Sequence, residues 1–290
     1  LVELETTHHL RFVSDNAGLI AIDAPELLGV PTWFHVRGHG YGVDRDGFGY
    51  EGIRVTPVAG QIIKVRVKRK LPAKRIGRLT GGGLFAESQK LGERLDWREQ
   101  RIFGCDSVQN AVLDDRLFWI WGDTTLAKYP LGRFHSIGAT TPRQPVSSLR
   151  PPLALRYDYF VDADGVPDNL AEMSGDGPTW LFGLITLPDE QQRERLGATY
   201  SKIKDGLIEY EKGLCVWNRD AQQFDPLKVV WRQSETQPQS PEMPYGHAVF
   251  WTESSSPLGP WSSAIKIVTH DRYTFYIIVK SNRSVELVTG

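Results

Sequence analysis

The chain has 290 residues, a formal net charge of -1, 40% hydrophobic and 24% charged residues. This describes a globular protein long enough for one large domain or two ordinary ones, and it excludes a broad basic field for nucleic acid. No apolar run approaches the ~18 residues that a spanning helix needs, so no membrane span is expected.

Nine Trp, ten Tyr and twelve Phe among 28 Gly and 18 Pro favour many short strands joined by tight turns. Strand-like runs are expected at Leu10–Ser14, Leu19–Asp23, Thr32–Val36 and Gln61–Arg69, with a short turn at Ala24–Leu28. The basic run from Lys64 to Arg78 begins interleaved with Ile63, Val65 and Val67, which suits a solvated strand face better than a phosphate-binding patch. Further strands are expected at Val108–Leu113, Leu117–Gly122, Trp180–Leu187, Leu214–Asn218, Leu227–Trp231, His247–Thr252 and Tyr273–Val279. Helical periodicity is weak throughout; Asp189–Leu196 is the best candidate for a short surface helix. The expected class is all-β, with a domain boundary near residues 95–103 and loop-rich stretches at Pro142–Pro152 and Gln233–Pro244.

The most informative segment runs from Gly104 to Thr124. Two strand-like runs flank Asp114-Asp115, which reads as a hairpin turn. Residues opposed across that turn have numbers summing to 229, and Asp106 and Asp123 satisfy this sum. Their Cβ atoms should then lie roughly 4.5–5.5 Å apart. Opposed like charges weaken a sheet, but they also raise one pKa and separate an acid from a base. Two carboxylates flanking a scissile bond are what glycoside hydrolysis requires. The competing reading is a pair of turn-edge aspartates bonded to backbone N–H groups or held by a lysine.

Around this pair, Gln109, Trp121, His135 and Lys202 are candidate substrate-binding residues. His135 follows the hairpin in a loop and has the chemistry to bond a sugar hydroxyl, or it is simply structural. Trp121 alternates onto the face of Asp123 with Trp119, offering either a stacking platform or core packing. Lys202 alternates with Tyr200 and Lys204, and reads either as a substrate contact or as a solvated strand edge. Asp162-Ala163-Asp164-Gly165 with Asp168 lacks the terminal Glu of a calcium loop and is read as a turn. His8-His9 and the pair His35/His39 have no accompanying carboxylate cluster, so no metal site and no cofactor are expected. Whether Cys105 and Cys215 pair is open.

The motifs Asp106-Ser107-Val108-Gln109, Trp121-Gly122-Asp123-Thr124, Tyr129–His135 and Ser256-Pro257-Leu258-Gly259-Pro260-Trp261 together resemble the five-bladed β-propeller glycoside hydrolases. The likeness is to the branch holding endo-D-arabinanases and to secreted proteins of planctomycete-type bacteria. The first hundred residues, through Ser14-Asp15-Asn16-Ala17-Gly18 and Gly38-His39-Gly40-Tyr41, are similar to the carboxypeptidase-regulatory, prealbumin-like β-sandwich. The resemblance implies a sandwich over residues 1–97 and a propeller over 98–290. It implies Asp106 and Asp123 as the catalytic pair, a polysaccharide or oligosaccharide partner, and a secreted or periplasmic location. About 185 residues after Gly104 suffice for roughly four blades, so the propeller is expected to be incomplete. The rival expectation is a non-catalytic glycan-binding or cell-surface scaffold.

Overall fold

The computed structural model describes residues 1–72, 76–98, 101–133, 135–240, 248–253, 263–268, 274–279 and 285–289. The chain is all-β, and among the described residues its antiparallel sheets do not close on themselves. Its only described α-helix, α1 (Ala86–Lys90), has five residues. Among the described residues no helix is long and apolar enough to cross a membrane. The chain divides into two compact units, one of Leu1–Gln100 with Val146–Ala154, the other of Arg101–Pro145 with Leu155–Gly290.

The first unit holds β1 (Val2–Thr6), β2 (Arg11–Val13), β3 (Thr32–Gly38), β4 (Tyr41–Gly42), β5 (Gly52–Val55) and β6 (Lys68–Arg69). They form one sheet in the order β2-β1-β3-β4-β6, with β5 also pairing β3. Period-two alternation along β3 sends Thr32, Phe34 and Val36 inward and leaves Trp33, His35 and Arg37 on the other face. Leu4, Leu27, Phe34 and Val36 form the core, with Phe12, Ile53, Val65 and Val67 packed against it. Val65 and Val67 thus bury partly as their alternation suggests, yet only Lys68–Arg69 of the expected strand pairs in a sheet. Leu19–Asp23 likewise forms no strand, whereas a 3-10 turn stands at Pro25–Leu27. Asp15 staples this unit: its carboxylate accepts from Ala17 N, Leu19 N, Ser88 N and Ser88 Oγ.

The second unit begins with β7 (Ile102–Cys105), β8 (Gln109–Leu113), β9 (Arg116–Trp121), β10 (Thr124–Leu126), β11 (Tyr129–Arg133), β12 (Ile137–Pro142) and β13 (Asp158–Tyr159). It continues with β14 (Thr179–Pro188), β15 (Glu194–Lys204), β16 (Ile208–Asn218) and β17 (Gln223–Arg232). The last strands are β18 (Ala248–Glu253), β19 (Ser263–Val268), β20 (Thr274–Val279) and β21 (Val285–Thr289). Four sheets result, ordered β11-β10-β7, β13-β12-β9-β8, β14-β15-β16-β17 and β18-β19-β20-β21. The last two are simple four-stranded meanders.

The run Leu117-Phe118-Trp119-Ile120-Trp121 has no polar face because β9 is buried on both sides. Phe118 and Ile120 pack with Leu181, Tyr200, Trp217 and Phe224 of the β14–β17 sheet. Trp119 and Trp121 face the opposite cluster, with Ile102, Ile137 and Tyr157. The Asp189–Leu196 segment is a hairpin and not a helix. Asp189 Oδ1 accepts from Gln191 N and Arg193 N, closing a turn between β14 and β15. Asp162 Oδ1 similarly accepts from Asp164 N and Val166 N, forming the expected turn. Ser256–Trp261 lies outside the described residues.

Candidate functional site

The Asp114-Asp115 turn has φ of 50° and 56° at its two residues, the left-handed pair of a type I′ hairpin. That turn fixes the register Leu113↔Arg116 through Gln109↔Ile120. The same register resumes beyond it as Cys105↔Thr124 and Gly104↔Thr125. Asp106 and Asp123 fall between the two ladders and are joined by their backbones: Asp106 N donates to Asp123 O and Gly122 N to Asp106 O, each at 3.0 Å. Gly122 and Asp123 together oppose Asp106, the pattern of a β-bulge.

The two carboxyls differ in environment. Asp106 is exposed and its Oδ1 accepts from Ser107 N at 2.6 Å. Ser107 has φ of 56°, a left-handed conformation that costs a non-glycine residue about 1–2 kcal/mol and is common where a functional group is being aimed. Asp123 is half-buried. Burial first, and the neighbouring Asp106 charge second, raise its pKa above the ordinary aspartate value. Asp123 therefore holds a proton more readily than an ordinary aspartate does.

No family model, curated protein or solved structure matches this chain. The site therefore rests on its own residues.

His135 is half-buried and leaves the same end of the unit as the aspartates. Ile137 pairs with Trp121, so two residues outward along β12 reaches His135 and two along β9 reaches Asp123. Next to His135, Ser136 Oγ accepts from Leu181 N at 3.2 Å.

The other candidates are inward. Gln109 is 3% exposed. Its Nε2 donates to Leu181 O at 3.0 Å and its Oε1 accepts from Leu184 N at 3.1 Å, clasping β8 to β14. Trp121 is 2% exposed, stacked on Trp119 at 6.2 Å and met edge-on by Tyr157. The structure places it in core packing, one of its two sequence readings, with no free ring face for a sugar.

Lys202 is 1% exposed, which rules out a solvated strand edge. Its Nζ donates to Met173 O at 3.1 Å and Gly177 O at 2.8 Å, pinning that loop over the sheet. Burial lowers its pKa, opposed by the negative charges of Glu211, Asp176 and Glu172. Glu211, its cross-strand partner, is engaged in turn by Tyr200 Oη at 2.8 Å and Arg232 Nε at 2.8 Å. No sequence signal marked Glu211, because a charged residue on a strand reads as exposed until its cationic partners are known.

Cys105 and Cys215 are both free thiols. Cys105 adjoins Asp106, and burial pushes its pKa up to about 12. Among the described residues no group of three His, Cys, Asp or Glu side chains is arranged to hold a metal ion. A cavity of about 320 Å³ lies in the first unit, lined by residues including Ser14, Asn16, Tyr41 and Val67, and none of the aspartate hairpin.

Proposed function

We propose that the second unit is a glycoside hydrolase module whose sheets are blades of an incomplete five-bladed propeller. The first unit would be its prealbumin-like accessory sandwich, and the protein would be secreted or periplasmic. One observation carries the catalytic reading: backbone hydrogen bonds join Asp106 and Asp123 in the gap between the β8–β9 and β7–β10 ladders, and burial together with its neighbour's charge raises the pKa of Asp123. Asp123 is then the general acid that protonates the leaving oxygen. The exposed Asp106 is the base that activates water or the nucleophile that attacks the anomeric carbon. His135 is assigned to a sugar hydroxyl.

The test is reducing-sugar release from a panel of polysaccharides weighted toward pentose and furanose polymers. Asp106→Asn and Asp123→Asn should each lower kcat by about two to four orders of magnitude, as expected for loss of a positioned acid or base. Hydrolysis of a responsive glycan unchanged by both substitutions would remove the proposal.

A second reading, a non-catalytic glycan-binding scaffold, is favoured by one specific observation. Gln109, Trp121 and Lys202 are all consumed in holding the fold together. It predicts saturable glycan binding by the full chain with no turnover.

A further inference from the structure

The outer face of the first unit's sheet carries a row of rings that core packing does not use. Trp33 and His35 alternate outward from β3, edge-to-face at 6.1 Å, and Tyr50 continues the row edge-to-face with His35 at 6.0 Å. Tyr50 is 57% exposed, and Phe48, two residues earlier in the same loop, is 91% exposed. Two hydrogen bonds stiffen this loop, since Asp46 Oδ1 accepts from both Phe48 N and Tyr50 N at 2.9 Å. The rings are seated, not dangling. A Cβ on Gly52, the cross-strand neighbour of His35, would come within 2.6 Å of Trp33 Cζ2, so the bare glycine lets the indole lie down on the sheet.

Charge on this face is asymmetric. Glu5 opposes His35 in register, and its carboxylate is almost fully covered by Arg11, Arg37 and His9. Arg11 and Arg37 themselves remain well exposed, as does Arg54, the cross-strand partner of Trp33. Each guanidinium has five donors, and Glu5 takes only a part of those of Arg11 and Arg37. The negative charge is thus sunk into the face while positive forks border the aromatic row.

We infer that this face is a binding platform for an extended polysaccharide bearing carboxylate groups. Trp33 and Tyr50, set edge-to-face on either side of His35, stack on sugar rings, and Arg11, Arg37 and Arg54 take the carboxylates as bidentate partners. Asp46 is taken up by its own loop and Glu51 by Arg45 and Lys70. Three arginines thus stand against Glu5 and Glu3, the cross-strand partner of Arg37, which matches scattered carboxylates better than the dense charge of a phosphodiester chain. The inference uses the first unit alone and adds a substrate class to the glycosidase reading without depending on it.

The test is calorimetric titration of the full chain with polygalacturonate, a neutral arabinan and single-stranded oligothymidylate. Polygalacturonate should bind, and Tyr50→Ala and Trp33→Ala should each weaken it at least tenfold. Arg54→Gln should weaken it and flatten its salt dependence. Asp106→Asn should bind as the parent does, so loss of hydrolysis and loss of the platform read out separately. Should Trp33→Ala fail to fold, the exposed Tyr50→Ala decides. The inference is overturned by absent binding, by binding of arabinan or oligothymidylate as tight as that of polygalacturonate, or by an unchanged Tyr50→Ala.

Discussion

Replacing Gln109 with leucine strips Leu181 O and Leu184 N of their side-chain partner at once. Leu181 and Leu184 are 5% and 3% exposed, so water does not reach them to compensate. Each buried group left unpaired costs about 1–3 kcal/mol, or about 2–6 kcal/mol for the two. The more apolar side chain returns about 1–2 kcal/mol of burial, which at the middle of these ranges leaves a net loss of about 2.5 kcal/mol. At ~2–4 °C per kcal/mol for a unit of this size, Tm should fall by about 5–10 °C. Near-UV circular dichroism is the assay, because Trp119, Trp121 and Trp217 lie in the two clusters that the clasp holds in place.

Gln109→Glu sharpens the test. The new carboxylate keeps the acceptor for Leu184 N but, when ionised, faces Leu181 O with no proton to donate. Its folded-state pKa is then raised above its unfolded value. Destabilisation should be full above the folded pKa and fade as pH falls through it, because the protonated acid restores the donor. A Gln109→Leu protein within about 0.5 kcal/mol of the parent, far below the penalty for two unpaired groups, would refute the clasp. So would a Gln109→Glu defect independent of pH.

Asp15→Ala removes the common acceptor of four donors and should cost about 3 kcal/mol, read as a lower urea midpoint with an unchanged slope. Asp115→Gly places glycine at a φ of 56° and should gain about 0.5–1 kcal/mol, provided the hairpin keeps its register. Ellman titration should find Cys105 and Cys215 slow in the native protein and both reactive in denaturant, since burial raises both thiol pKa values and only the thiolate attacks. Asp123→Asn should be more stable than the parent at neutral pH. The raised folded pKa of Asp123 means its charge is disfavoured there, and the difference should vanish as pH falls and the parent protonates. An Asp123→Asn protein that gains nothing between pH 4 and 7, a window named from the ordinary aspartate value, would contradict that environment.

The hairpin from Gly104 to Thr124 was legible because its information is local. Two apolar runs flank a polar pair, and a two-residue turn leaves one register in which all five residues of β8 pair with β9. That Asp106 is exposed and Asp123 half-buried was not legible, since it comes from how distant segments cover each strand at that one end of the ladder. The sequence puts Gln109 and Lys202 on strands, but their burial is not legible in it. A polar residue in an alternating strand looks solvated, and only long-range contacts with Leu181, Leu184, Met173 and Gly177 reveal otherwise. The Asp189–Leu196 segment misleads for a related reason. Its charged residues suit a surface helix, yet Asp189 captures the nearby N–H groups and closes a turn.

The left-handed turn and the acid pair sit at opposite ends of a single ladder, which makes the strands between them a measuring rod. Trading one turn residue for another leaves the rod's length alone. Adding a single residue to β8 or β9 slides one carboxyl by about 3.3 Å and flips it to the far side of the sheet. The spacing of the two carboxyls is thus indifferent to the turn's composition and intolerant of any change in the number of residues along either strand.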